Sequence, residues 1–142
     1  MAKSLSAFLA QNAKQVDNRK IVVSPRFVDE DDKPIEWEIT CVTAGENQKI
    51  RKNSTRNVPV NGKRGQYTQD FDIAQYQAKL AVQCTVFPDL NDKELQDSYG
   101  VMSAEQLISA MLTPGEFDSL ILDITDLCGF TADGELIDEA KN

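Results

Sequence analysis

A chain of 142 residues that is 41% apolar, with 7 Gly and 5 Pro, is long enough for one domain with a buried core and too short for two. It carries a net charge of −8 and no histidine, which excludes Ser-His-Asp and Cys-His nucleophile systems, histidine-ligated zinc and the usual general base near neutral pH. Cys41, Cys84 and Cys128 contain no Cys-x-x-Cys pair, so neither a disulfide framework nor a zinc ribbon fits, and they read as reduced core residues of a cytosolic protein.

Leu5, Phe8, Leu9, Ala13 and Val16 recur at helical spacing and predict an amphipathic helix or arm over residues 1–18. The stretch lacks the apolar region of a signal peptide, and no run of about 18 apolar residues follows it, so the expected location is the cytoplasm, with no membrane contact. Residues 19–70 read as β-rich. Ile21, Val23, Pro25 and Phe27 alternate, the acidic turn Asp29 to Pro34 follows, and Ile35, Trp37, Ile39 and Cys41 alternate with polar neighbours. That pattern predicts a β-hairpin with one buried face and Trp37 at its middle. A short helix over Glu46 to Lys52 is expected next. A strand from Arg56 to Val60, an Asn61-Gly62 turn and a return strand at Gln66 to Thr68 complete this half.

In residues 71–130 the period changes from 2 to 3.6. Ile73, Tyr76, Leu80, Cys84 and Phe87 predict a central helix that Pro88 stops. Asn91 or Asp92 caps a short helix over Leu95 to Tyr99, ended by Gly100. Ser103 and Gln106 form a capping box for Leu107, Ile108, Met111 and Leu112. Thr113 as N-cap, Pro114 at the first position and Glu116 in the first turn open a last helix, with Phe117, Leu120, Ile121, Ile124, Leu127 and Cys128 facing inward and Gly129 as C-cap. Residues 131–142 read as an acidic tail. The fold class that follows is α+β, one domain with a small antiparallel sheet in the N-terminal half and a helical C-terminal half.

Charge is divided unevenly: residues 1–70 are +3 and residues 71–142 are −11. Lys49, Arg51, Lys52, Arg56, Lys63 and Arg64 form a basic stripe whose expected partners are acidic residues of this chain or of a second copy, in preference to nucleic acid. The Asp29 to Asp32 cluster lacks the glycine and terminal carboxylate of an EF-hand loop, and Gly62-Lys63-Arg64-Gly65 lacks the spacing of a phosphate loop. Asp118, Asp123 and Asp126 fall on the outer face of the last helix. No catalytic, cofactor-binding or metal-ligating set is identified. Trp37, Met102 and Met111 read as core residues, whereas Leu122 lies off the apolar stripe of its helix and marks a candidate partner contact.

From about Phe8 to Phe130 the chain resembles the XkdN-like tail assembly chaperones of PBSX-type prophages and other contractile-tailed bacteriophages. The resemblance is carried by Val23-Ser24 with Arg26-Phe27, by Pro34 before Trp37-Glu38-Ile39, and by Ile50-Arg51-Lys52 with Thr55. Gly62-Lys63 ahead of Gly65-Gln66-Tyr67, and Tyr76 with Lys79-Leu80, extend it. It strengthens in Pro88-Asp89-Leu90-Asn91-Asp92, in Leu95-Gln96-Asp97-Ser98-Tyr99-Gly100-Val101-Met102, in Ala110-Met111-Leu112 and in Pro114-Gly115-Glu116-Phe117. Asp32 stands where the family often has a turn glycine, and Phe117 where tyrosine is common. The resemblance implies a non-enzymatic protein without cofactors, working in the cytoplasm of the bacterial host. It would bind the phage tape measure protein, keep it soluble while the tail tube assembles, and be absent from the mature virion. Tail tube protein and self-association stand as further contacts. The candidate partner-binding residues are Arg51, Lys52, Leu95, Gln96, Tyr99, Met111, Glu116 and Leu122. A structural tail component and a nucleic-acid binder using the Lys49 to Arg64 stripe remain as alternatives.

Genes of such chaperones are often read in two frames, and the resemblance extends this expectation to Ala140-Lys141-Asn142, which is compatible with a slippery A-AAA-AAC sequence; a solvated chain end accounts for the same residues. The gene decides between them. Slippage requires AAA and AAC or AAU at Lys141 and Asn142 with an overlapping open frame beyond, and an AAG lysine codon rules it out at this place.

Overall fold

The computed structural model describes residues 5–130; the expected acidic tail and the Ala140-Lys141-Asn142 end lie outside the described residues. The elements run β1 (Arg19–Ile21), β2 (Trp37–Ile39), α1 (Ala44–Asn53), β3 (Thr55–Pro59), β4 (Tyr67–Phe71), α2 (Ile73–Cys84), β5 (Thr85–Phe87), α3 (Lys93–Ser98), α4 (Ala104–Met111) and α5 (Pro114–Leu127). The α+β class is as expected: β2 lies between antiparallel partners β1 and β5, β3 and β4 form a separate two-stranded sheet, and helices fill the C-terminal half.

The first hairpin forms with shorter strands than the alternation predicts. Ile21 pairs with Trp37 and Arg19 with Ile39, but between the strands only Val28 and Pro34 form a bridge. Pro25 has no N–H for a ladder, and the Ser24 hydroxyl accepts from the Arg26 N–H at 3.1 Å, which turns the chain away from the sheet. The acidic turn is closed by its own residues, since the Asp29 carboxylate accepts from the N–H groups of Asp31 at 2.8 Å and Lys33 at 3.0 Å. Asp32 has a φ of 61°, a left-handed conformation that glycine adopts without strain and Asp tolerates.

Two expectations fail at the ends of helices. The apolar residues of the N-terminal arm make only a 3₁₀ turn, Ser6–Phe8, and Leu5, Leu9 and Val16 are exposed. A lone short segment cannot sustain helix without packing its apolar face, and among the described residues Leu5, Phe8, Leu9 and Val16 stay uncovered. At the other place α2 stops at Cys84, and Thr85–Phe87 leaves it as strand β5, hydrogen-bonded to β2. Phe87 precedes Pro88, which disfavours helix there; Thr85 and Val86 are β-branched, and the Thr85 hydroxyl donates to the Ala81 carbonyl at 2.6 Å, capping the last turn. Phe87 and Ile73 are therefore exposed and not part of a buried helical stripe.

The caps read from sequence at Asp92, Ser103 and Thr113 are present, and the structure adds Thr43 and Asp72. Thr43 with Glu46 and Thr113 with Glu116 form complete capping boxes, and Asp72 and Asp92 cap α2 and α3. In the Ser103 box the glutamine reaches one residue further back: Ser103 accepts from the Gln106 N–H, while the Gln106 side chain accepts from the Met102 N–H at 3.0 Å. That turn leaves the Met102 side chain 91% exposed, so Met102 is not a core residue.

Helix α2 is central, touching α1, α4 and α5. Its Leu80, Ala81 and Cys84 pack with Trp37 and Ile39 of β2, Leu107 and Ile108 of α4, and Leu120 and Ile124 of α5 in one hydrophobic cluster. Tyr76 is partly buried against that cluster. Trp37 is 2% exposed. Replacing Trp37 by Ala is expected to destabilise the fold by about 3 to 5 kcal/mol, measured by denaturant unfolding, and the wild-type tryptophan should fluoresce as a water-shielded indole; a loss below about 1 kcal/mol would contradict this packing.

Candidate functional site

The sheet and the helical half meet along an open apolar groove of about 150 Å³, lined by Phe27, Ile35, Trp37, Phe87, Pro88, Leu95 and Met111. Three separate segments build it. Alternation along β2 places Trp37 at its floor, and the Phe27 ring stands 6.4 Å from the indole at a 44° tilt. The turn from β5 into Pro88 places Phe87 on the rim, where it is 51% exposed. Leu95 and Met111 close the helical side. Seven apolar side chains around open space fit the chemistry of an apolar side chain from outside. A second depression, beside Val42, Thr43, Asn47 and Cys128, mixes polar and apolar groups.

An arginine holds the two walls together. The Arg26 guanidinium donates to both carboxylate oxygens of Glu116, at 2.5 and 3.2 Å, and to the Met111 carbonyl at 2.8 Å. Its cationic face lies 5.1 Å from the Phe27 ring centroid. The same Glu116 carboxylate accepts from the Thr113 N–H at 2.9 Å as the capping partner of α5. Hydrogen bonding from Arg26, then from the Ser24 side chain and the Thr113 N–H, holds Glu116 well below the usual carboxylate range. This bidentate pair ties the loop after β1 to the α4–α5 junction.

The residues nominated from the sequence fall into two sets. Leu95 and Met111 line the groove, and Met111 is also the core residue expected of it. Glu116 anchors Arg26, Tyr99 lies within electrostatic reach of Arg26, and Gln96 donates from its amide to the Leu90 carbonyl at 2.9 Å, fixing the loop beneath Leu95. Arg51, Lys52 and Leu122 do not line it. Leu122 is 61% exposed on α5. Arg51 stacks on the rings of Phe71 and Tyr76, at 4.6 and 5.5 Å, so aromatic faces and not carboxylates receive it; Tyr76 in turn donates to the Asn47 side-chain oxygen. Within the basic stripe, Arg56 meets Asp70 across the β3–β4 hairpin at 3.5 Å. Phe27, Ile35, Trp37, Phe87 and Pro88 were not nominated. The Phe87-Pro88 pair held the signal, because the residue before proline favours extended backbone.

The three cysteines, distant in sequence, are neighbours in the fold. Burial pushes the Cys41 thiol up to about 11 and the Cys84 thiol higher still, which leaves both protonated and weakly nucleophilic at neutral pH. Among the described residues no group of three or more His, Cys, Asp or Glu side chains is placed to hold a metal ion, and no helix is long and apolar enough to cross a membrane.

A family model described as phage XkdN-like tail assembly chaperone protein matches residues 5–141. The chain belongs to that family. Among its relatives, the phage-like element PBSX protein XkdN of Bacillus subtilis (strain 168) is 28% identical over 140 residues, covering 97% of this chain and 93% of the relative. YqbN of the same organism is 26% identical over 137 residues, covering 96% and 91%. The crystal structure of the protein YqbN superposes with a TM-score of 0.74 at 19% identity, over 91% of this chain and 98% of that one, and so has the same fold.

Within this tail assembly chaperone the Arg26–Glu116 pair should be visible in the pH dependence of stability. A carboxylate whose folded pKa lies below its unfolded value, near 4.5, adds stability above that value and loses it as pH falls toward the folded pKa. Glu116→Gln is thus expected to be less stable than wild type at neutral pH, with the gap narrowing below about pH 4.5. A gap of equal size at about pH 7 and about pH 3 in urea melts would contradict the assignment.

Proposed function

We propose that this chaperone binds an apolar helical segment of the phage tape measure protein in the Phe27–Trp37–Phe87 groove and keeps it soluble until tail tube subunits enclose it. The observation that carries the reading is the groove itself: an open apolar channel on a chain of net charge −8. A tape measure helix exposes apolar side chains that aggregate when free, and a groove lined by apolar groups accepts them at helical spacing. The acidic surface around it keeps the complex dispersed. The action is shielding by mass action, with no bond made or broken and no cofactor. It takes place in the host cytoplasm, and the chaperone leaves before the virion is complete. A longer product read through a second frame would carry the same groove on an extended chain.

Co-expression with the tape measure protein of the same phage is expected to yield a complex that Phe87→Asp weakens at least about tenfold, equivalent to ~1.4 kcal/mol, because a carboxylate is poorly tolerated among apolar walls. Leu122→Asp on α5 should leave it intact. No complex with the wild-type chain would overturn the reading, and finding the chain in purified tails would favour a structural component instead.

A further inference from the structure

The same chain carries an apolar arm whose Leu5, Phe8, Leu9 and Val16 are exposed among the described residues and an apolar groove with room to spare. Phe8 is 80% exposed and Leu5 75% exposed beside the 3₁₀ turn. The groove, at about 150 Å³, is comparable to apolar cavities of about that size that accept a benzene ring, which is the group Phe8 bears. The charges also match. Residues 1–16 contain Lys3 and Lys14 and no acid, whereas the segments that build the groove, 26–37 and 85–116, hold eleven Asp or Glu against three Lys or Arg.

We propose that the N-terminal arm of one copy, led by Phe8, seats in the groove of a second copy. In the structure the arm does not occupy its own groove, since Phe8 and Leu5 stay exposed, and the chain enters the sheet away from it, which leaves the groove open to the arm of a second copy. The arm enters β1 at Arg19, which pairs with Ile39, and β1 is the edge strand opposite β5. The groove lies on the β5 side, at the Ile35–Trp37 end of β2. The arm therefore leaves from the far edge and the far end of the sheet. Each copy then gives one arm and accepts one, a heterologous contact that links copies head to tail. The basic, apolar arm would cover the groove while no other partner occupies it. The inference goes beyond tape measure binding and requires only the groove.

The test is light scattering on the full chain over a series of concentrations, with no other protein present. Wild type is expected to exceed the mass of one chain and to grow with concentration. Phe8→Asp and Phe87→Asp should each fall to the mass of one chain. Mixed in equal amounts they should form pairs, because the first keeps an intact groove and the second an intact arm. Circular dichroism checks that Phe87→Asp is folded, and Ile35→Asp takes its place if it is not. A wild type that stays at one chain throughout, including one whose arm folds onto its own groove, overturns the proposal; so does association that either substitution leaves unchanged, or a mixture that forms no pairs. Tape measure capture reads separately, since Phe8→Asp retains it if the groove binds that partner.

Discussion

A sheet of three strands, each three residues long, has no stability of its own, and everything in this molecule depends on how β2 is buried. Trp37 and Ile39 project from its inner face into the cluster formed by α2, α4 and α5. Through them the N-terminal half gains a core that it could not build alone. Strand β5 follows α2 without a linker, so the same helix that supplies the core also delivers the third strand to the open side of β2. The Thr40 N–H donates to the Cys84 carbonyl at 2.8 Å at this junction. Sheet and helices are thus continuous in chain as well as in packing. Arg26 adds a second attachment on the far side of the loop, reaching Glu116 and the Met111 carbonyl.

The helices were legible because their signals are local. Asp92, Ser103 and Thr113 each accept from an N–H three residues on, and a cap of this kind needs nothing beyond its own turn; Thr43 and Asp72 cap α1 and α2 in the same way and were not read. The β3–β4 hairpin was legible for the same reason, with Asn61-Gly62 between its strands. Strand β5 was missed because the apolar spacing of α2 continues through Phe87, and period alone cannot show that β2 offers a free ladder edge. The arm was misread in the opposite sense: Leu5, Phe8 and Leu9 have helical spacing, but the surface that would stabilise a helix is not supplied by the described residues. The groove was beyond a linear reading, since its walls come from residues 27–37, 87–95 and 111. Each of those residues taken singly looks like core. The nominated Leu95 and Met111 came from family motifs, and the structure gives them a place together.

Acidity and apolarity are arranged side by side. The chain concentrates negative charge on the segments bordering its most apolar opening, so the openings of two copies repel each other face to face. A partner with lysine or arginine beside its apolar face removes both penalties when it binds, and attraction of this kind weakens as salt rises while the apolar contact persists. Basic residues are spent differently. Arg51 covers Phe71 and Tyr76, Arg26 ties two loops, and Arg19 reaches Asp126 of α5 at 2.8 Å. Each of these links one part of the chain to another.

Among the described residues, the hydrogen bonds and ring contacts that join the β3–β4 hairpin to the rest lie at its base. Ser54, buried under α1, accepts from the Asp72 N–H at 2.8 Å, and Arg51 lies over Phe71; beyond that point the two strands pair only with each other and are largely exposed. Its amides beyond the base should therefore exchange with solvent through local fluctuations below the free energy of global unfolding. A segment of that kind can gain or lose residues between Val60 and Gln66 while Trp37 keeps its packing. The hairpin is where this architecture absorbs changes in length without disturbing the groove.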